Sequence, residues 1–413
     1  MNKAFDSIET ALKALREGGM VILVDDESRE NEGDLIVAAE HVTSEQINFM
    51  TQYGRGLICL PMMASDFERL NIPMMVMEDR NRSCYQTPFG ISIEGAYDVT
   101  TGISAQDRAR TIRIAIDEKS GPDDIVMPGH IFPLKAKDAG VLARPGHTEG
   151  SVDLCRLAGL KPAAVLCEVL SEDGSMARLP DLQHLAEHHQ IPLVSIHDLI
   201  THRINHEILI DEISASTLPL KNQGKFTIKT FRSWIDNLEH VALISQKKSS
   251  DKCCLVRVHS ECLTGDVFGS SRCDCGWQLE AALDEISNRG GILLYLRQEG
   301  RGIGLGNKIK AYALQEKGLD TVEANHHLGF AADLRDYGLA AQILRVLGVR
   351  KVCLLTNNPN KVSGLRRYGI EVLERVALEA VPIGDNIRYL KAKREKLGHL
   401  LNLTAEPIND TST

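Results

Sequence analysis

Short apolar runs alternate with amphipathic stretches along the first half of the chain. The runs "GMVILVDD", "GDLIVAAE", "RGLICLP" and "AAVLCEVL" end in polar or turn residues, which predicts strands. The stretches "SAQDRARTIRIAID" and "SVDLCRLAG", like the N-terminal "MNKAFDSIETALKALREGG", have the apolar spacing of amphipathic helices. This alternation predicts an α/β domain.

The pattern changes after Asp198 and begins again near Phe226. The stretch "ASTLPLKNQGKF" has the composition of a linker. Beyond it, predicted strands such as "CCLVRVHS", "GILLYLRQ" and "KVCLLTNN" alternate with predicted helices such as "WQLEAALDEIS" and "KIKAYALQEKG". We therefore predict an α/β fold of the α+β type, with two domains in series and each a mixed sheet flanked by helices. The predicted bounds are 1–205 for the first domain, 206–222 for the linker, 223–400 for the second domain and 401–413 for a tail.

Length and charge narrow the classes of function. A chain of 413 residues exceeds what one hydrophobic core usually serves, which agrees with two domains. Residues 1–205 carry 19 Lys and Arg against 31 Asp and Glu, in a chain of net charge −9. An acidic chain without a basic patch argues against nucleic acid as a partner. No apolar stretch is long enough to span a membrane, so no membrane partner is expected.

The N-terminus predicts a cytoplasmic location. The first residues lack the apolar core and the cleavage site of a signal peptide. Thiols stay reduced in the cytoplasm, so the ten cysteines are expected to be buried apolar residues, metal ligands or catalytic groups rather than disulfides.

Three cysteines lie close together in "HSECLTGDVFGSSRCDCGWQ", residues 259–278. Cys262, Cys273 and Cys275 could be the three protein ligands of a catalytic zinc ion, whose fourth position belongs to water. A structural zinc site would need a fourth protein ligand instead. The nearby candidates are Cys253, Cys254 and His259. The spacing alone leaves both kinds of site open.

Other polar segments of the second half suit an anion. "YLRQEGRGIGLGNK" places Glu299 and Arg301 among glycines after a predicted strand, where N–H groups and a guanidinium can meet phosphate oxygens. The segment is not a Walker A loop, because Lys308 lacks the required neighbours. "AADLRDY" and "LLTNNPNK" add charged and polar groups, although a surface ion pair or a plain turn would explain each one alone.

In this order, the segments of the second half resemble GTP cyclohydrolase II. The resemblance runs from about residue 226 to 375 and rests on "RVHSECLTGDVFGSSRCDCGWQL", "LRQEGRGIGL", "DTVEAN", "LGFAADLRDY" and "LLTNNPNK". It implies that the imidazole ring of GTP is opened with release of formate and pyrophosphate, leaving a diaminopyrimidine ribosylamine phosphate. It also implies Mg²⁺ on the GTP phosphates and Zn²⁺ on three thiolates, with zinc-bound water attacking C8 of the purine. The zinc ligands would be Cys262, Cys273 and Cys275.

The same resemblance assigns further residues. Asp333 would accept a proton, and Tyr312 would lie near the reacting base. Arg335 would act on the α-phosphate as a nucleophile or, since a guanidinium stays protonated, as a stabiliser of charge. The residues expected to contact GTP are Arg257, Val258, His259, Ser260, Glu261, Gln278, Glu299, Gly300, Arg301, Thr321, Thr356 and Lys361.

Carboxylates crowd around Arg29 in the first half, within "DDESRENEGDLIVAAE". Crowded carboxylates repel one another, so they are either well solvated or gathered on a divalent cation. The flanking strands would hold this loop at the end of a sheet, which favours the cation. Glu168 lies inside the apolar run "AAVLCEVL", where a carboxylate has to be paired, bound to metal or raised in pKa.

These segments, with "TTGISAQDRARTI", "PGHIFPL", "RPGHTEGSVDL" and "CEVLSEDGSMAR", resemble 3,4-dihydroxy-2-butanone 4-phosphate synthase over about residues 5–200. The resemblance implies conversion of ribulose 5-phosphate to a four-carbon ketone phosphate and formate, with Mg²⁺ or Mn²⁺. Glu30 and His147 match metal-binding positions, and His130 and Glu168 match positions needed for catalysis. The residues expected to hold the sugar phosphate are Arg29, Glu30, Asp34, Arg144, Pro145, Gly146, His147, Thr148 and Glu168.

Together the two resemblances imply one homodimeric chain that supplies two precursors of riboflavin. Two alternatives remain. One half could have become a scaffold, or the cysteines could belong to a zinc-ribbon module that binds nucleic acid, which would need a fourth ligand and a basic surface.

Overall fold

A computed structural model of the chain describes residues 5–27, 29–247, 253–330, 337–379 and 386–401. The chain forms two compact units, residues 1–203 and 204–413. Within the described residues, each unit contains one seven-stranded sheet that mixes parallel and antiparallel pairs, with helices around it. This architecture confirms the predicted fold class.

The first sheet is formed by strands spread along the whole first unit. These are β1 (Val21–Val24), β2 (Gly33–Ala38), β3 (Cys59–Met62), β4 (Ile93–Gly95), β5 (Ile125–Lys135), β6 (Ala164–Glu168) and β7 (Leu193–Ser195). The helices are α1 (Ile8–Arg16), α2 (Ser44–Phe49), α3 (Ala64–Leu70), α4 (Ala105–Ala115), α5 (His147–Leu157), α6 (Leu179–His189) and α7 (Ile196–His206). The strand order is β4–β5–β3–β6–β2–β1–β7.

Both faces of strands β1, β2 and β3 of the first sheet are buried, which explains their nearly continuous apolar runs. Successive side chains of β1 and β2 enter two different cores, with Ile22 and Leu35 on one face and Leu23 and Ile36 on the other. Helices α2, α4 and α6 contribute to the first core, while α1 and α5 contribute to the second. The strands are thus packed between two cores, and the polar loops follow the ends of these packed strands.

The second sheet begins with antiparallel strands and continues with parallel ones. Its strands are β8 (Ile210–Leu220), β9 (Gly224–Ser233), β10 (Glu239–Ser245), β11 (Cys254–Ser260), β12 (Ile292–Leu296), β13 (Lys351–Leu355) and β14 (Glu371–Val376). The helices are α8 (Leu263–Asp266), α9 (Cys275–Arg289), α10 (Gly304–Glu316), α11 (Thr321–His327), α12 (Gly338–Val346), α13 (Pro359–Arg367) and α14 (Ile387–Glu395). The order β14–β13–β11–β12–β10–β9–β8 places the parallel strands together.

The stretch predicted as a linker is a strand of the second sheet. Strand β8 pairs antiparallel with β9 from Ile210, opposite Ser233, to Leu220, opposite Gly224. Most side chains of β8 are exposed because it is the edge strand. An exposed edge strand needs no apolar alternation, so its polar composition was misread as a linker.

One pair of cysteines also departs from the sequence prediction. The sulfur atoms of Cys253 and Cys353 are joined as a disulfide, with the two Cα atoms 5.7 Å apart. The pairing of β11 with β13 brings these positions together across 100 residues of sequence. The remaining eight cysteines are free thiols. In the described ranges no helix is both long and apolar enough to cross a membrane.

Candidate active sites

The carboxylate loop of the first unit connects β1 to β2 and folds around Asp25. One oxygen of Asp25 accepts hydrogen bonds from Arg29 Nη1 at 2.8 Å and from the backbone N–H of Glu30 at 3.1 Å. The other oxygen accepts from the backbone N–H of Glu32 at 2.9 Å. Asp25, one of the crowded carboxylates but not one of the predicted metal ligands, therefore fixes the shape of the loop that carries Glu30.

Glu30 and His147, the two predicted metal ligands, lie together with Asp25. Ligand atoms of the three residues all lie within 4.8 Å of one another, and Glu30 Oε2 is 3.5 Å from His147 Nδ1. Among the described residues, His147 Nε2 and Asp34 Oδ1 are buried polar atoms without a hydrogen-bond partner. Carboxylate oxygens and an imidazole beside unsatisfied buried atoms fit a Mg²⁺ or Mn²⁺ ion.

Asp34 and Glu168 face each other across the neighbouring strands β2 and β6. The two residues are direct partners in the antiparallel register, and Glu168 Oε2 accepts a hydrogen bond from the Leu57 N–H at 2.9 Å. Burial raises the pKa of Asp34 to about 7; the charge of His147 opposes the shift and that of Glu168 adds to it. A carboxyl group that titrates near neutrality beside a second carboxylate suits proton transfer.

Two guanidinium groups converge on the N-terminus of α5. A Cβ placed on Gly146 would lie 2.6 Å from Arg144 Nη1 and 3.2 Å from Arg29 Nη2. Arg144 Nη1 donates to the buried carboxylate of Glu149 at 2.7 Å, and the guanidinium of Arg29 lies 4.6 Å from the ring centre of Tyr85. Gly146 caps α5 without a side-chain hydrogen bond. Guanidinium groups beside an open helix N-terminus suit a phosphate group.

The remaining predicted residues of the first unit lie in two places. Thr148 is buried in the first turn of α5, and Pro145 is exposed just before it. His130 lies on β5, where its Nδ1 is 2.6 Å from Glu94 Oε2, and Thr111 Oγ1 donates to the other oxygen of Glu94 at 2.9 Å. Within the described ranges His130 makes no hydrogen bond to the carboxylate loop. Glu94 was not predicted from the sequence.

The second site lies where three parallel strands end. Cys262 follows β11, the loop of Glu299 follows β12, and Thr356 follows β13. Because β12, β11 and β13 are adjacent and parallel, their carboxyl ends meet at one edge of the sheet. This topology brings together predicted residues that are up to about a hundred positions apart in sequence.

The three predicted zinc ligands meet in this site. The sulfur atoms of Cys262, Cys273 and Cys275 all lie within 4.8 Å of one another, and those of Cys262 and Cys273 are 3.7 Å apart. Tetrahedral zinc with Zn–S bonds of about 2.3 Å requires sulfur atoms about 3.8 Å apart. A Cβ on Gly265 would lie 2.9 Å from Cys273 Sγ, so only glycine leaves the sulfur atoms this room. The donor set fits Zn²⁺.

His259, the nearest candidate for a fourth ligand, is engaged elsewhere. Its Nε2 is 3.1 Å from both oxygens of Asp266, and its ring stacks on Tyr295 with centroids 5.5 Å apart. Asp266 also accepts hydrogen bonds from the hydroxyl of Tyr295 at 2.8 Å and from the N–H of Cys262 at 2.9 Å. Within the described ranges the thiol cluster contains no fourth protein ligand. Cys253 is in the disulfide, and Cys254 is not part of the cluster.

Lys308 links the thiol cluster to the loop after β12. Its Nζ lies 3.1 Å from Cys262 Sγ and 2.8 Å from Glu299 Oε1. Hydrogen bonds from Cys273, Cys275 and then Lys308 lower the pKa of the Cys262 thiol well below its usual value. A stabilised thiolate at Cys262 agrees with a metal-ligand role.

The residues predicted to contact GTP line one pocket with the thiols. These are Arg257, His259, Ser260, Glu261, Gln278, Glu299, Gly300, Arg301, Thr321, Thr356 and Lys361, and Tyr312 lies among them. Val258 is the exception, because its side chain is fully buried in the sheet. Its carbonyl oxygen accepts a hydrogen bond from Lys361 Nζ at 2.8 Å, so the backbone of Val258 helps to orient the Lys361 side chain, which lines the pocket. Asp333 and Arg335 lie outside the described residues.

The C-terminal segment adds pocket residues that sequence reasoning did not find. Tyr389 and Lys393 of α14 and His399 after it line the pocket. Burial alone would lower the pKa of Lys393, but the carboxylate of Asp274 holds it above its ordinary value. The sequence of α14 has the polar and apolar pattern of an ordinary surface helix and contains no motif that would have indicated its place in the site.

Comparisons with known proteins agree with this arrangement. Residues 9–202 match the family model of 3,4-dihydroxy-2-butanone 4-phosphate synthase, and residues 211–377 match that of GTP cyclohydrolase II. The riboflavin biosynthesis protein RibBA of Bacillus cytotoxicus is 52% identical over 400 residues, which covers 97% of this chain and 100% of that protein. RibBA of Aquifex aeolicus is 53% identical over 401 residues, which covers 96% of this chain and 98% of that one. In structure the chain is similar to RibBX, a two-domain 3,4-dihydroxy-2-butanone 4-phosphate synthase from A. baumannii, with 35% identity and a TM-score of 0.70 over 91% of this chain and 100% of that one.

Proposed function

The chain belongs to the family of bifunctional riboflavin biosynthesis enzymes in which a 3,4-dihydroxy-2-butanone 4-phosphate synthase precedes a GTP cyclohydrolase II, and from this we propose which residues do the work in each domain. The observation that carries the proposal is that each domain gathers a cluster of three side chains that could bind a metal ion. Asp25, Glu30 and His147 form one cluster, and three thiols form the other. Both clusters lie beside groups suited to phosphate.

In the first domain, Arg29 and Arg144 bind the phosphate of ribulose 5-phosphate at the N-terminus of α5. Glu30 and His147 hold Mg²⁺ or Mn²⁺, with Asp25 completing the cluster, and the ion supplies positive charge for the substrate's oxygen atoms. The conversion to 3,4-dihydroxy-2-butanone 4-phosphate and formate needs several proton transfers.

Proton transfer in the first domain is assigned to one carboxylate, Glu168, and one histidine, His130. Glu168 moves protons at the substrate, and Asp34, with its raised pKa, positions the substrate beside it. His130 acts as a second proton carrier, and Glu94 at its Nδ1 fixes which ring nitrogen carries the proton.

In the second domain, the three thiolates hold Zn²⁺, which supplies Lewis acidity for water to act near neutral pH. Arg257 and Gln278, joined by a hydrogen bond of 2.5 Å, bind the substrate from the floor of the pocket. Arg301 and Lys361 bind the phosphates of GTP, which carry Mg²⁺. Tyr312, whose hydroxyl is 3.2 Å from Thr264 Oγ1, lies beside the reacting base. Asp333 accepts a proton and Arg335 stabilises charge on the α-phosphate.

The alternative is that one domain works and the other is a scaffold. RibBX aligns with both domains of this chain, yet its description names only the synthase activity. The fold of the second domain therefore does not by itself imply that GTP is opened. The intact thiol cluster, the room made for it by Gly265 and the phosphate-binding cations of the same pocket favour two working sites.

Formate release tests this choice. The purified protein, supplied with zinc and magnesium, is given ribulose 5-phosphate or GTP in separate reactions. We expect formate from both. Formate from ribulose 5-phosphate alone would establish the scaffold alternative for the second domain, and formate from GTP alone would establish it for the first.

We also propose a cytoplasmic homodimer with small-molecule substrates and no nucleic-acid or membrane partner. The first unit carries exposed apolar side chains, among them Ile103, Val126 and Met127, which an interface between two copies could cover. Light scattering of the purified protein tests it, and a monomer at micromolar concentration would contradict it.

A further inference from the structure

Helix α14 lies beyond the matched cyclohydrolase region, which ends at residue 377, yet it lines the second site. Leu390 anchors the helix with 1% of its surface exposed. After the helix, the N–H of Leu400 donates to the carbonyl of Asn357 at 2.9 Å, in the turn that follows β13. The segment is therefore fixed to the sheet edge that carries the pocket.

Lys393 of this helix forms a buried ion pair beside the zinc ligands. Its Nζ lies 2.6 Å from Asp274 Oδ1, and the exposed fractions of Lys393 and Asp274 are only 7% and 2%. Asp274 stands between Cys273 and Cys275 in the sequence. The Lys393 ammonium also lies 4.6 Å from the ring centre of Tyr389.

Asp274 connects Lys393 to two pocket residues, Gln278 and Arg257, through hydrogen bonds. Its second oxygen accepts a hydrogen bond from Gln278 Nε2 at 2.6 Å, and Gln278 Oε1 accepts one from Arg257 Nη2 at 2.5 Å. Arg257 Nη1 in turn donates to the carbonyl of Leu355 at 3.0 Å. A continuous series of hydrogen bonds thus joins α14 to two of the residues assigned to GTP.

We propose that Lys393 is a positioning residue for the GTP-opening reaction, which holds the Cys273–Cys275 turn and Gln278 in place through Asp274. The inference rests on the proposed function of the second site. A group that orients metal ligands from outside the ligand set typically changes metal affinity or activity about 10- to 100-fold when it is lost. A counter-ion that only balanced a buried charge would become dispensable once the charge of Asp274 was removed as well.

The first experiment compares Lys393→Met with Lys391→Met, which changes an exposed lysine of the same helix. For Lys393→Met we expect zinc to be released to a chromogenic chelator about 10-fold faster and kcat for GTP to fall about 10- to 100-fold. Lys391→Met should match the wild type in both measurements. Formate release from ribulose 5-phosphate should be unchanged in both variants. Wild-type zinc release and kcat in Lys393→Met would overturn the proposal.

A double variant keeps the test decisive if Lys393→Met fails to fold with Asp274 unpaired. Asp274→Asn combined with Lys393→Met removes both charges of the buried pair. If the pair only balances charge, the double variant recovers zinc retention and kcat, which would overturn the proposal. If the pair positions the turn, both defects persist in a folded protein.

The outcome is separable from that of the proposed function. A wild-type protein that retains zinc but releases no formate from GTP would count against the cyclohydrolase site. The rate of zinc release from Lys393→Met would still decide whether Lys393 holds the cysteine turn.

Discussion

Nε2 of His259 lies 3.1 Å from both carboxylate oxygens of Asp266, and this pairing keeps the imidazole out of the thiol cluster. Asp266 also accepts the N–H of Cys262, so the same carboxylate that pairs with the histidine also orients the first cysteine of the thiol cluster. Within the described ranges the cluster offers three protein ligands, a number typical of a catalytic zinc site rather than a structural one.

Replacing His259 by Asn should leave zinc binding intact while weakening GTP turnover. The imidazole of His259 is paired with Asp266 and is not part of the thiol cluster, so we expect one zinc per chain in the variant, measured by atomic absorption after dialysis. The stacking on Tyr295 and the contact with Asp266 would be lost, which should lower kcat/KM for GTP about 10-fold or more. The matched contrast is Cys273→Ser, which should lose zinc and GTP turnover while formate from ribulose 5-phosphate persists. Loss of zinc from His259→Asn would make the histidine a fourth ligand.

Gly265→Ala should weaken zinc binding by crowding the sulfur atoms. The added Cβ would lie 2.9 Å from Cys273 Sγ and 3.2 Å from Cys262 Sγ. We expect zinc affinity, measured by competition with a chelator, to fall about 10-fold or more. Gly306→Ala is the control, because a Cβ there meets nothing within 4 Å and lies in helix α10. This control should retain zinc and gain about 0.5–1 kcal/mol in free energy of unfolding. Equal zinc affinities in the two variants would contradict the packing around the thiols.

Glu168→Ala should abolish formate release from ribulose 5-phosphate and leave GTP turnover unchanged. The substitution removes a proposed proton carrier, and such groups contribute about 10²- to 10⁴-fold to a rate. The control is Glu172→Ala, at an exposed carboxylate of the following loop, which should match the wild type. If Glu168→Ala silenced both reactions in a folded protein, the independence of the two domains would be wrong.

Glu94→Gln should lower the first activity through His130 rather than through folding. Glu94 Oε2 is 2.6 Å from His130 Nδ1, and an amide in its place no longer offers a carboxylate to hold the imidazole in one orientation and tautomer. We expect kcat for ribulose 5-phosphate to fall about 10-fold or more, while the midpoint of thermal unfolding stays at the wild-type value. Asp98→Asn, which changes an exposed carboxylate paired with Arg110, should leave kcat unchanged. An unchanged kcat in Glu94→Gln would contradict the positioning of His130 by Glu94.

The chemistry of both sites is largely local in the sequence. Cys273 and Cys275 are separated by one residue, and Arg29 and Glu30 are adjacent, so their motifs could be recognised before any contact was known. Buried strands could also be predicted from the sequence, because a sheet covered on both faces has to be built from apolar runs. Strand β8 was not predicted, because an exposed edge strand does not need an apolar run.

The partners of these residues were decided by tertiary structure alone. Asp34 and Glu168 are brought together by the register of β2 and β6. His259 contacts Asp266 because the chain turns back after β11 into α8. Lys393 reaches Asp274 across 119 residues of sequence. The sequence by itself determined which ligand groups and which apolar strands are present, because each motif and each apolar run consists of residues that are neighbours in the chain. Contacts between distant segments depend on how the sheets order their strands, and that order sets which carboxylate each cation and each imidazole meets.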